Sequence, residues 1–237
     1  MKILFAFFCL LGFASYAQAQ FKDYKIYRAA DEQGNQLAKA PTVFLGHGCS
    51  GIVPSQTKDY VEDFTKSGYN VVVIDSLTPR GLKSVCKNLA PDFRSYHRMA
   101  EFFEVLEIVS KESWHSGKAG YIGFSNGGAL GLNLAGEGRG FEAIVSYYPN
   151  CGRGSVPNRQ LKLPTLVHLG TADNWTPMKN CDDIRGITQR MIHEGATHAF
   201  DIRSPRRDFM GEILEYSDGA NKAARTATKT FLDRALK

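Results

Sequence analysis

The sequence predicts a single α/β domain with a mostly parallel central sheet and helices on both faces. From residue 21 to residue 150, short apolar runs alternate with amphipathic stretches, a pattern typical of alternating strands and helices. The chain has 237 residues, of which 43% are hydrophobic and 22% are charged. That size and composition allow a large buried core and exclude fibrous and disordered proteins. No internal repeat or low-complexity linker is visible, so we expect one domain over residues 20–237.

The first part of the chain predicts three strands and two helices. The run from Val71 to Ile74 is entirely β-branched, which favours a buried strand. A long loop containing Pro79 and Pro91 follows it, and the apolar side chains after that loop recur at helical spacing. The expected elements are strands at 24–29, 42–46 and 71–74 and helices at 60–66 and 92–111.

The second part continues the alternation. An apolar strand at 119–124 leads into a glycine-rich turn and helix, and Pro149 and Pro164 bound the segment between the next two strands. After the strand at 119–124, the expected elements are strands at 142–147, 165–170 and 196–201 and helices at 129–134, 181–192 and 220–236.

The amino terminus has the three parts of a secretory signal peptide. Lys2 supplies a positive charge, residues 3–13 are apolar, and Ala17-Gln18-Ala19 matches an A-x-A cleavage site. The apolar stretch is too short to span a membrane. We therefore expect a signal peptide at residues 1–19 and a secreted or periplasmic protein without membrane insertion.

Four cysteines remain after such cleavage, because Cys9 lies in the removed segment. An even number in an exported chain suggests two disulfides, and four cysteines allow three pairings. We favour the pairs Cys49–Cys86 and Cys151–Cys181. The chain has no C-x-x-C motif and no His/Cys cluster with zinc-ligand spacing, so we expect no bound metal.

The charged residues give no indication of a nucleic-acid partner. The formal net charge of +5 at pH 7 falls by one when Lys2 is removed, and the charges are interspersed. The densest basic cluster, Arg203 with Arg206 and Arg207, is interpreted as a solvated loop, since no nucleic-acid-binding motif accompanies it. The oligomeric state is not predicted.

Residues 119–128 carry the pattern on which the functional prediction depends. An apolar run enters a G-x-S-x-G motif at 123–127, and a helical pattern rich in Ala, Leu and Gly leaves it. A serine on a strained strand-to-helix turn needs neighbours without side-chain bulk, and Gly123 and Gly127 meet that need. Ser125 is therefore the candidate nucleophile. An ordinary glycine-rich turn is the alternative interpretation of this motif.

Two later residues complete an arrangement that can activate a serine. A hydroxyl is a poor nucleophile until an imidazole takes its proton and a carboxylate orients that imidazole. Asp173 follows the strand at 165–170, and His198 lies in the next segment. The order Ser, Asp, His is the one used by α/β-hydrolases. We therefore predict a Ser125/His198/Asp173 triad on an α/β-hydrolase fold.

Each of the two partners has an alternative. Asp173 stands before Asn-Trp-Thr-Pro and suits an Asx turn, and His198 could be a surface histidine. His168 lies within a predicted strand and His47 precedes the acid, so both are weaker candidates for the base. The histidines expected to face solvent are His97, His115 and His193.

An acyl-transfer site also needs N–H donors for the developing oxyanion. The backbone N–H of Asn126 follows the nucleophile, and a second donor is expected from the loop after the strand at 42–46. We expect the backbone N–H of Cys49 there, with that of Ser50 as the alternative. The side chains expected near the substrate pocket are Trp175, Tyr148 and Arg80, the last as a cation for an acidic substrate.

The segments around these positions resemble the dienelactone hydrolase family of the α/β-hydrolase fold. The resemblance rests on five segments that span nearly the whole mature chain, namely 43–51, 75–81, 123–128, 170–177 and 197–200. It implies a catalytic triad at Ser125, Asp173 and His198. It also implies that no metal or organic cofactor is needed.

Two features differ from the dienelactone-cleaving members of that family. Those proteins have a cysteine in the motif where this chain has Ser125, and a glutamate soon after the oxyanion loop where this chain reads Gly51-Ile52-Val53-Pro54. Activity on dienelactones is therefore not expected. Exported relatives with cysteines at such positions look like general serine hydrolases.

The sequence as a whole predicts an exported serine hydrolase that cleaves small carboxylic esters through an acyl-enzyme on Ser125. A peptidase related to the catalytic domains of prolyl oligopeptidases shares this order of residues, although the chain shows no propeller-sized region before the domain. A non-catalytic binding protein on the same fold is the third possibility, since a fold does not establish a function.

Overall fold

A central β-sheet organises the computed structural model, which describes residues 21–87 and 95–237. The signal peptide expected at residues 1–19 lies outside the described residues. Within them, the sheet has seven strands. These are β1 (Tyr24–Tyr27), β2 (Ala40–Gly46), β3 (Asn70–Ile74), β4 (His115–Phe124), β5 (Ala143–Tyr147), β6 (Thr165–Gly170) and β7 (Gln189–His193).

The order of the strands in the sheet is β1-β3-β2-β4-β5-β6-β7. Strand β1 is antiparallel to β3, and every other pair of neighbours is parallel. Parallel pairing brings the carboxyl ends of β2 and β4 to the same edge, where Gly46 pairs with Gly123. Ligands bind at this edge in sheets of this kind. The mostly parallel sheet predicted from the sequence is confirmed.

Helices cover both faces of the sheet, which is also confirmed. Strands contribute to both layers because successive side chains point to opposite faces, so Val71 and Val72 belong to different apolar clusters. Helices α2 and α3 pack with the cluster of Val72, and α1 and α4 pack with that of Val71. The four helices of the described residues are α1 (Pro54–Lys66), α2 (Ser95–Ser110), α3 (Asn126–Glu137) and α4 (Asp218–Leu236).

The helix starts follow from local chemistry. Helix α1 begins at Pro54, earlier than predicted, because the fixed φ of proline suits the first turn of a helix. Before α4, the hydroxyl of Ser217 accepts a hydrogen bond from the backbone N–H of Ala220 at 3.3 Å. That N-cap, with Asp218 in the first turn, favours a helix start at this point.

Three smaller elements lie in the loops. Two are short 3₁₀ helices at Thr78–Arg80 and Met178–Cys181. The third is a hairpin of β8 (Arg207–Phe209) and β9 (Glu212–Leu214), which stands apart from the main sheet. None of the described helices combines the length and apolar character needed to cross a bilayer.

The predicted helix at 181–192 is wrong. The chain leaves Met178–Cys181 as a loop and then forms β7, which pairs in parallel with β6. Gly186 has a φ of 83°, a left-handed conformation that interrupts a helix. Strand β7 lies at the sheet edge and its side chains are partly exposed, so its mixed polar and apolar pattern resembled that of an amphipathic helix.

The predicted strand at 196–201 is also wrong. This segment forms turns, in which Ala199 has a φ of 58° and its carbonyl oxygen accepts from the Ile202 N–H at 3.0 Å. The apolar residues of the segment are buried against the sheet without joining it. His198 therefore stands in a turn that follows β7.

Two histidines expected to face solvent are buried. His115 and His193 are each 5% exposed. The His115 ring is hydrogen-bonded to the Thr42 hydroxyl at 2.9 Å, and the His193 ring to that of His168 at 3.1 Å. The polar sequence context predicted exposure, whereas one ring nitrogen of each histidine has a polar partner inside the fold.

The described residues contain the two disulfides that we favoured, Cys49–Cys86 and Cys151–Cys181. Their cysteines are 37 and 30 residues apart. In the chain-entropy account, closing loops of such lengths stabilises a fold by about 4 kcal/mol each.

Candidate active site

Ser125 lies on a sharp turn between the end of β4 and the start of α3. Its backbone has a φ of 54° and a ψ of −112°, outside the regions that L-residues normally adopt. A Cβ on Gly123 would lie 2.1 Å from the carbonyl oxygen of Gly127, and one on Gly127 would lie 2.1 Å from that of Gly46. The turn therefore requires both glycines of the motif.

The Ser125 hydroxyl is hydrogen-bonded to the imidazole of His198, with 2.9 Å between Oγ and Nε2. The other ring nitrogen, Nδ1, is 2.8 Å from Oδ2 of Asp173. Asp173 lies in the loop after β6 and His198 in the turn after β7, and both side chains are buried. The carboxyl edge of the sheet thus brings together the three residues selected from the sequence.

Thr176 binds both oxygens of the Asp173 carboxylate, and its hydroxyl shares Oδ2 with the His198 ring. Its backbone N–H donates to Oδ1 at 2.8 Å and its hydroxyl donates to Oδ2 at 2.7 Å. Burial alone raises the pKa of Asp173, but hydrogen bonds from His198 and Thr176 outweigh it and hold the pKa below its usual value. Asp173 therefore both forms an Asx-type turn and faces His198 as a carboxylate.

His47, a competing candidate for the base, has both ring nitrogens occupied. Nε2 accepts from the backbone N–H of Ser76 at 3.0 Å, so Nδ1 carries the proton and donates to the Gly48 carbonyl at 2.7 Å. Burial and the charge of Arg98 lower the pKa of His47 to about 3. The imidazole therefore stays neutral near pH 7 and fixes the backbone around it.

The loop after β2 passes beside the nucleophile. A Cβ on Gly48 would lie 3.4 Å from the Cβ of Ser125, and Cys49 lines the same cavity as Ser125. On the other side, Asn126 is the first residue of α3, where backbone N–H groups have no acceptor within the helix. The expected oxyanion donors thus belong to the two segments that flank Ser125. Ser50 lines the cavity too and remains the alternative to Cys49.

A cavity of about 240 Å³ opens in front of Ser125. Its wall is largely apolar and includes Tyr148 and Trp175, the two aromatic residues that the sequence analysis selected. The Trp175 ring centroid lies 5.1 Å from that of His198 and 5.5 Å from that of Phe209. The other apolar side chains of the wall are Val53, Phe124, Ala199, Ile202, Phe209 and Leu214. Phe209 and Leu214 come from the β8–β9 hairpin, which sequence reasoning did not identify.

The hydroxyl of Tyr148 is bound by the buried carboxylate of Asp201. The hydroxyl donates to Asp201 Oδ1 at 2.6 Å, and the Gln56 amide donates to Oδ2 of the same residue at 2.8 Å. Burial raises the pKa of Asp201. The Tyr148 ring lies edge-on to that of His198, with 4.7 Å between centroids. The floor of the cavity is therefore held in place by buried hydrogen bonds.

The arginine expected at the pocket is placed elsewhere. Arg80 is not among the described residues that line the cavity; it forms an ion pair with the buried carboxylate of Glu101 and donates to the Ser76 carbonyl at 2.7 Å. Burial of Glu101 favours a cation at that position. Arg207, interpreted from the sequence as part of a solvated cluster, is exposed but lies at the cavity.

The disulfides occupy different places relative to the cavity. Cys49 and Cys86 both line it, whereas the Cys151–Cys181 bond is not among the described residues at its wall. Within residues 21–87 and 95–237, no group of three or more His, Cys, Asp and Glu side chains is arranged to hold a metal ion.

Comparison with known proteins assigns the chain to a family. The family model described as "Dienelactone hydrolase family" matches residues 28–236, which is most of the chain. No curated protein matches the sequence at the significance required.

Solved structures with the same fold are found at low sequence identity. A putative dienelactone hydrolase from Klebsiella pneumoniae superposes with a TM-score of 0.68 at 14% identity, covering 90% of this chain and 100% of that one. A dienelactone hydrolase-like promiscuous phosphotriesterase from metagenomic libraries gives 0.65 at 17%, covering 91% and 100%. Est1E from Butyrivibrio proteoclasticus, with ferulic acid bound, gives 0.63 at 13%, covering 90% and 95%. These likenesses establish the α/β-hydrolase fold, and with the family match over residues 28–236 the chain belongs to the dienelactone hydrolase family.

Proposed function

We propose that this protein is a serine hydrolase that cleaves carboxylic esters through an acyl-enzyme on Ser125. The observation that carries the proposal is the position of the His198 ring, 2.9 Å from the Ser125 hydroxyl and 2.8 Å from the Asp173 carboxylate. A serine, a base and an orienting acid in hydrogen-bond contact are what nucleophilic catalysis at an ester requires. The family, whose structural neighbours include esterases, supports the same reaction class.

In the first half of the reaction, Ser125 Oγ attacks the ester carbonyl carbon while its proton passes to His198 Nε2. The carboxylate of Asp173 stabilises the imidazolium that forms. The tetrahedral intermediate then collapses, its C–O bond to the alcohol breaks, and the alcohol leaves with the proton from His198. In the second half, a water molecule attacks the acyl-enzyme as His198 takes its proton, and the acid is released with Ser125 restored.

The backbone N–H groups of Asn126 and Cys49 are proposed to bind the oxyanion of both tetrahedral intermediates. This proposal is supported by the positions of both residues on the segments that flank Ser125. Asn126 is also the first residue of helix α3. A helix N-terminus carries a partial positive charge, which favours an anion there. Loss of a single donor of this kind typically costs about a hundredfold in rate.

The cavity favours small esters with an apolar acyl or alcohol group. About 240 Å³ of space is bounded mainly by aromatic and aliphatic side chains, among them Trp175 and Phe209. Because Est1E is recorded with ferulic acid, an aromatic acid, esters of small aromatic acids belong in the first screen beside short aliphatic ones. Trp175 and Tyr148 are proposed to contact the substrate.

We further propose that the mature chain comprises residues 20–237, exported after removal of residues 1–19. Two disulfides in the described chain are compatible with an extracellular or periplasmic location. Mass spectrometry of the protein recovered from the extracellular or periplasmic fraction tests this, since a mature amino terminus other than Gln20 contradicts the cleavage site.

The decisive test is labelling of the oxidised, folded protein with a fluorophosphonate probe, followed by location of the modified peptide by mass spectrometry. We expect modification of Ser125 alone, and none in the Ser125→Ala variant. The same variant should lose turnover of p-nitrophenyl butyrate. The proposal fails if the folded protein is neither labelled nor active on an ester library, and ligand binding is then the activity to test.

A further inference from the structure

Arg98 is a fully charged side chain in the interior of the protein. It lies on α2 and is only 1% exposed. Nη1 donates to Oδ1 of Asn126 at 2.6 Å, Nη2 donates to the His47 carbonyl at 3.0 Å, and Nε donates to the Ser76 hydroxyl at 3.3 Å. The three donors of this one guanidinium therefore join the loop after β2, the residue after the nucleophile and the loop after β3.

Two of these contacts fall on the segments that bear the proposed oxyanion donors. His47 precedes Gly48 and Cys49 in the loop beside Ser125. Asn126 supplies one proposed donor from its backbone, while its side chain accepts from Arg98. The guanidinium thus ties together the two pieces of chain whose N–H groups must point at the same oxygen atom.

The energetics of burial indicate that Arg98 is not there for packing alone. Removing a guanidinium from water is costly, and burial lowers the pKa of Arg98. A well-packed apolar side chain in place of a buried ion is often neutral or stabilising. Lysine offers no planar fork, so it cannot reproduce these directed bonds. The site keeps an arginine whose bonds fix backbone geometry.

A second contact network supports the same loop. The neutral ring of His47 spans the Gly48 carbonyl and the Ser76 backbone N–H, while Ser76 in turn accepts from Arg98. One continuous set of hydrogen bonds therefore holds the main chain at residues 47 and 48 and the side chain of Asn126. A displacement of about 1 Å in a catalytic group can lower the rate on the order of a hundredfold.

We infer that Arg98 is a positioning residue for the oxyanion hole, acting through Asn126 and the His47 carbonyl. This inference rests on the proposed ester hydrolysis. Arg98 touches neither substrate nor reacting atoms; it sets the relative position of the Cys49 and Asn126 N–H groups. Its loss weakens binding of the tetrahedral oxyanion while leaving ground-state binding in the apolar cavity unchanged.

The experiment compares Arg98→Lys and Arg98→Met with the wild type, using p-nitrophenyl butyrate turnover and two inhibitors. An aliphatic trifluoromethyl ketone adds to the serine and places an oxyanion in the hole, whereas butyrate binds only as the product. We expect kcat/KM to fall roughly tenfold to a hundredfold, carried by kcat. Ketone affinity should fall by the same factor, with KM and butyrate affinity within about twofold of the wild type.

Arg159→Met is the matched control. Arg159 also links loops by donating to main-chain carbonyls, those of Cys151 at 2.5 Å and Asn180 at 2.8 Å, but it lies outside the cavity. A general loosening of loops would lower ketone and butyrate affinity together, and this control should lower neither. Folded Arg98 variants with unchanged ketone affinity overturn the inference.

Asn126→Ala decides the matter if the Arg98 variants do not fold. Asn126 is only partly buried, and the variant removes one acceptor of Arg98 while retaining the backbone N–H. We expect ketone affinity to fall at least fivefold with butyrate affinity unchanged; equal affinity for the ketone overturns the inference.

A wild-type protein without labelling at Ser125 or ester turnover refutes the proposed function itself, whereas an active wild type with insensitive variants refutes only the role of Arg98.

Discussion

The two sides of Ser125 are held by different means. On the side of His198, here called the base side, Asp173 and Thr176 form a compact set of side-chain hydrogen bonds around a buried carboxylate. On the side of the loop at 47–49, here called the anion side, the contacts fix main chain instead, through Arg98 and a disulfide.

This difference matches what each side is proposed to do. A base must gain and lose a proton, so its neighbours have to control charge, and hydrogen bonds to Asp173 do this by lowering its pKa. An oxyanion hole only has to present backbone N–H groups at fixed positions. Cross-links between segments suit that task. Changes on the base side should therefore act on proton transfer, and changes on the anion side on geometry.

The largest effect is expected from Asp173→Asn on the base side. The amide cannot stabilise an imidazolium and favours the wrong tautomer of His198, so kcat should fall by about 10⁴-fold, as in other enzymes with this arrangement. Steady-state kinetics on p-nitrophenyl butyrate measure it. Asp182→Asn is the control, because Asp182 lies in the same β6–β7 loop and its side chain is 71% exposed. This variant should retain full activity. A loss below tenfold for Asp173→Asn would remove Asp173 from the proposed triad.

A smaller effect is expected from Thr176→Val. The variant deletes the 2.7 Å hydrogen bond to Asp173 Oδ2 but keeps the backbone N–H at Oδ1. Loss of one charge-assisted bond corresponds to roughly tenfold in kcat. The pKa of Asp173 should rise, because the hydroxyl bond is one of the contacts that lower it. Steady-state kinetics on p-nitrophenyl butyrate measure the loss of kcat. Thr176→Ser restores the hydroxyl and should restore kcat, and a Thr176→Val variant with wild-type kcat contradicts the role given to Thr176.

The two disulfides allow a direct test of the anion side. Replacement of Cys49 and Cys86 by serine should lower kcat a few-fold, because this bond lies at the cavity and joins the loop that bears the proposed oxyanion donor Cys49. Replacement of either pair should lower the free energy of unfolding by about 2–4 kcal/mol. Replacement of Cys151 and Cys181 should leave kcat unchanged, because that bond is not among the described residues at the cavity.

Mild reduction provides the same comparison without substitutions. We expect turnover to decline before unfolding is detected by circular dichroism. Unchanged turnover after selective reduction of Cys49–Cys86, verified by alkylation and mass spectrometry, would show that the disulfide does not position the site.

The smallest effect concerns stability and pH. His47 has a pKa of about 3 in the folded protein, below the usual value near 6.5 of an unfolded chain. Between these values the unfolded chain binds more protons, so the free energy of unfolding falls as the pH decreases from about 6.5 towards 3. His47 alone should lower the free energy of unfolding by about 1.4 kcal/mol at pH 5.5. Burial lowers the pKa of His168, His193 and His115 as well, and these add in the same direction.

Urea unfolding between pH 8 and pH 5.5 measures this effect. The wild-type midpoint should decrease on acidification, and His47→Gln should be less stable at pH 8 but less sensitive to pH. An equal pH dependence in the two proteins would contradict the assignment of His47 as a neutral, buried ring.

The parts of the fold with strong local patterns were predictable. The continuous apolar run of β3 and the glycines around Ser125 each leave a direct trace in the sequence, because a buried parallel strand is apolar on both faces and a tight turn excludes Cβ atoms. Asp173 and His198 were found from their order and from the strand end before Asp173. Their contact depends on the parallel sheet, which the alternation of elements predicted.

The rest depended on tertiary partners that have no local trace. Strand β7 is identified by its pairing with β6, which the residues at 189–193 do not reveal. Arg98 was not predicted as a link, since a helical arginine usually faces solvent. Thr176 had a weak signal, a hydroxyl three residues after an aspartate. Arg80 lies away from the cavity because buried Glu101, 21 residues later in the chain, attracts it.

The pairing of the two disulfides affects the order in which they can form while the chain is synthesised. The four described cysteines pair consecutively along the chain, Cys49 with Cys86 and Cys151 with Cys181. A chain that emerges amino end first exposes Cys49 and Cys86 together before Cys151 is available. Closure of that bond at this stage removes both incorrect pairings, whereas a complete reduced chain must choose among all three. Oxidation during emergence should therefore yield native protein without isomerisation, and refolding of the finished chain should be slower and less complete.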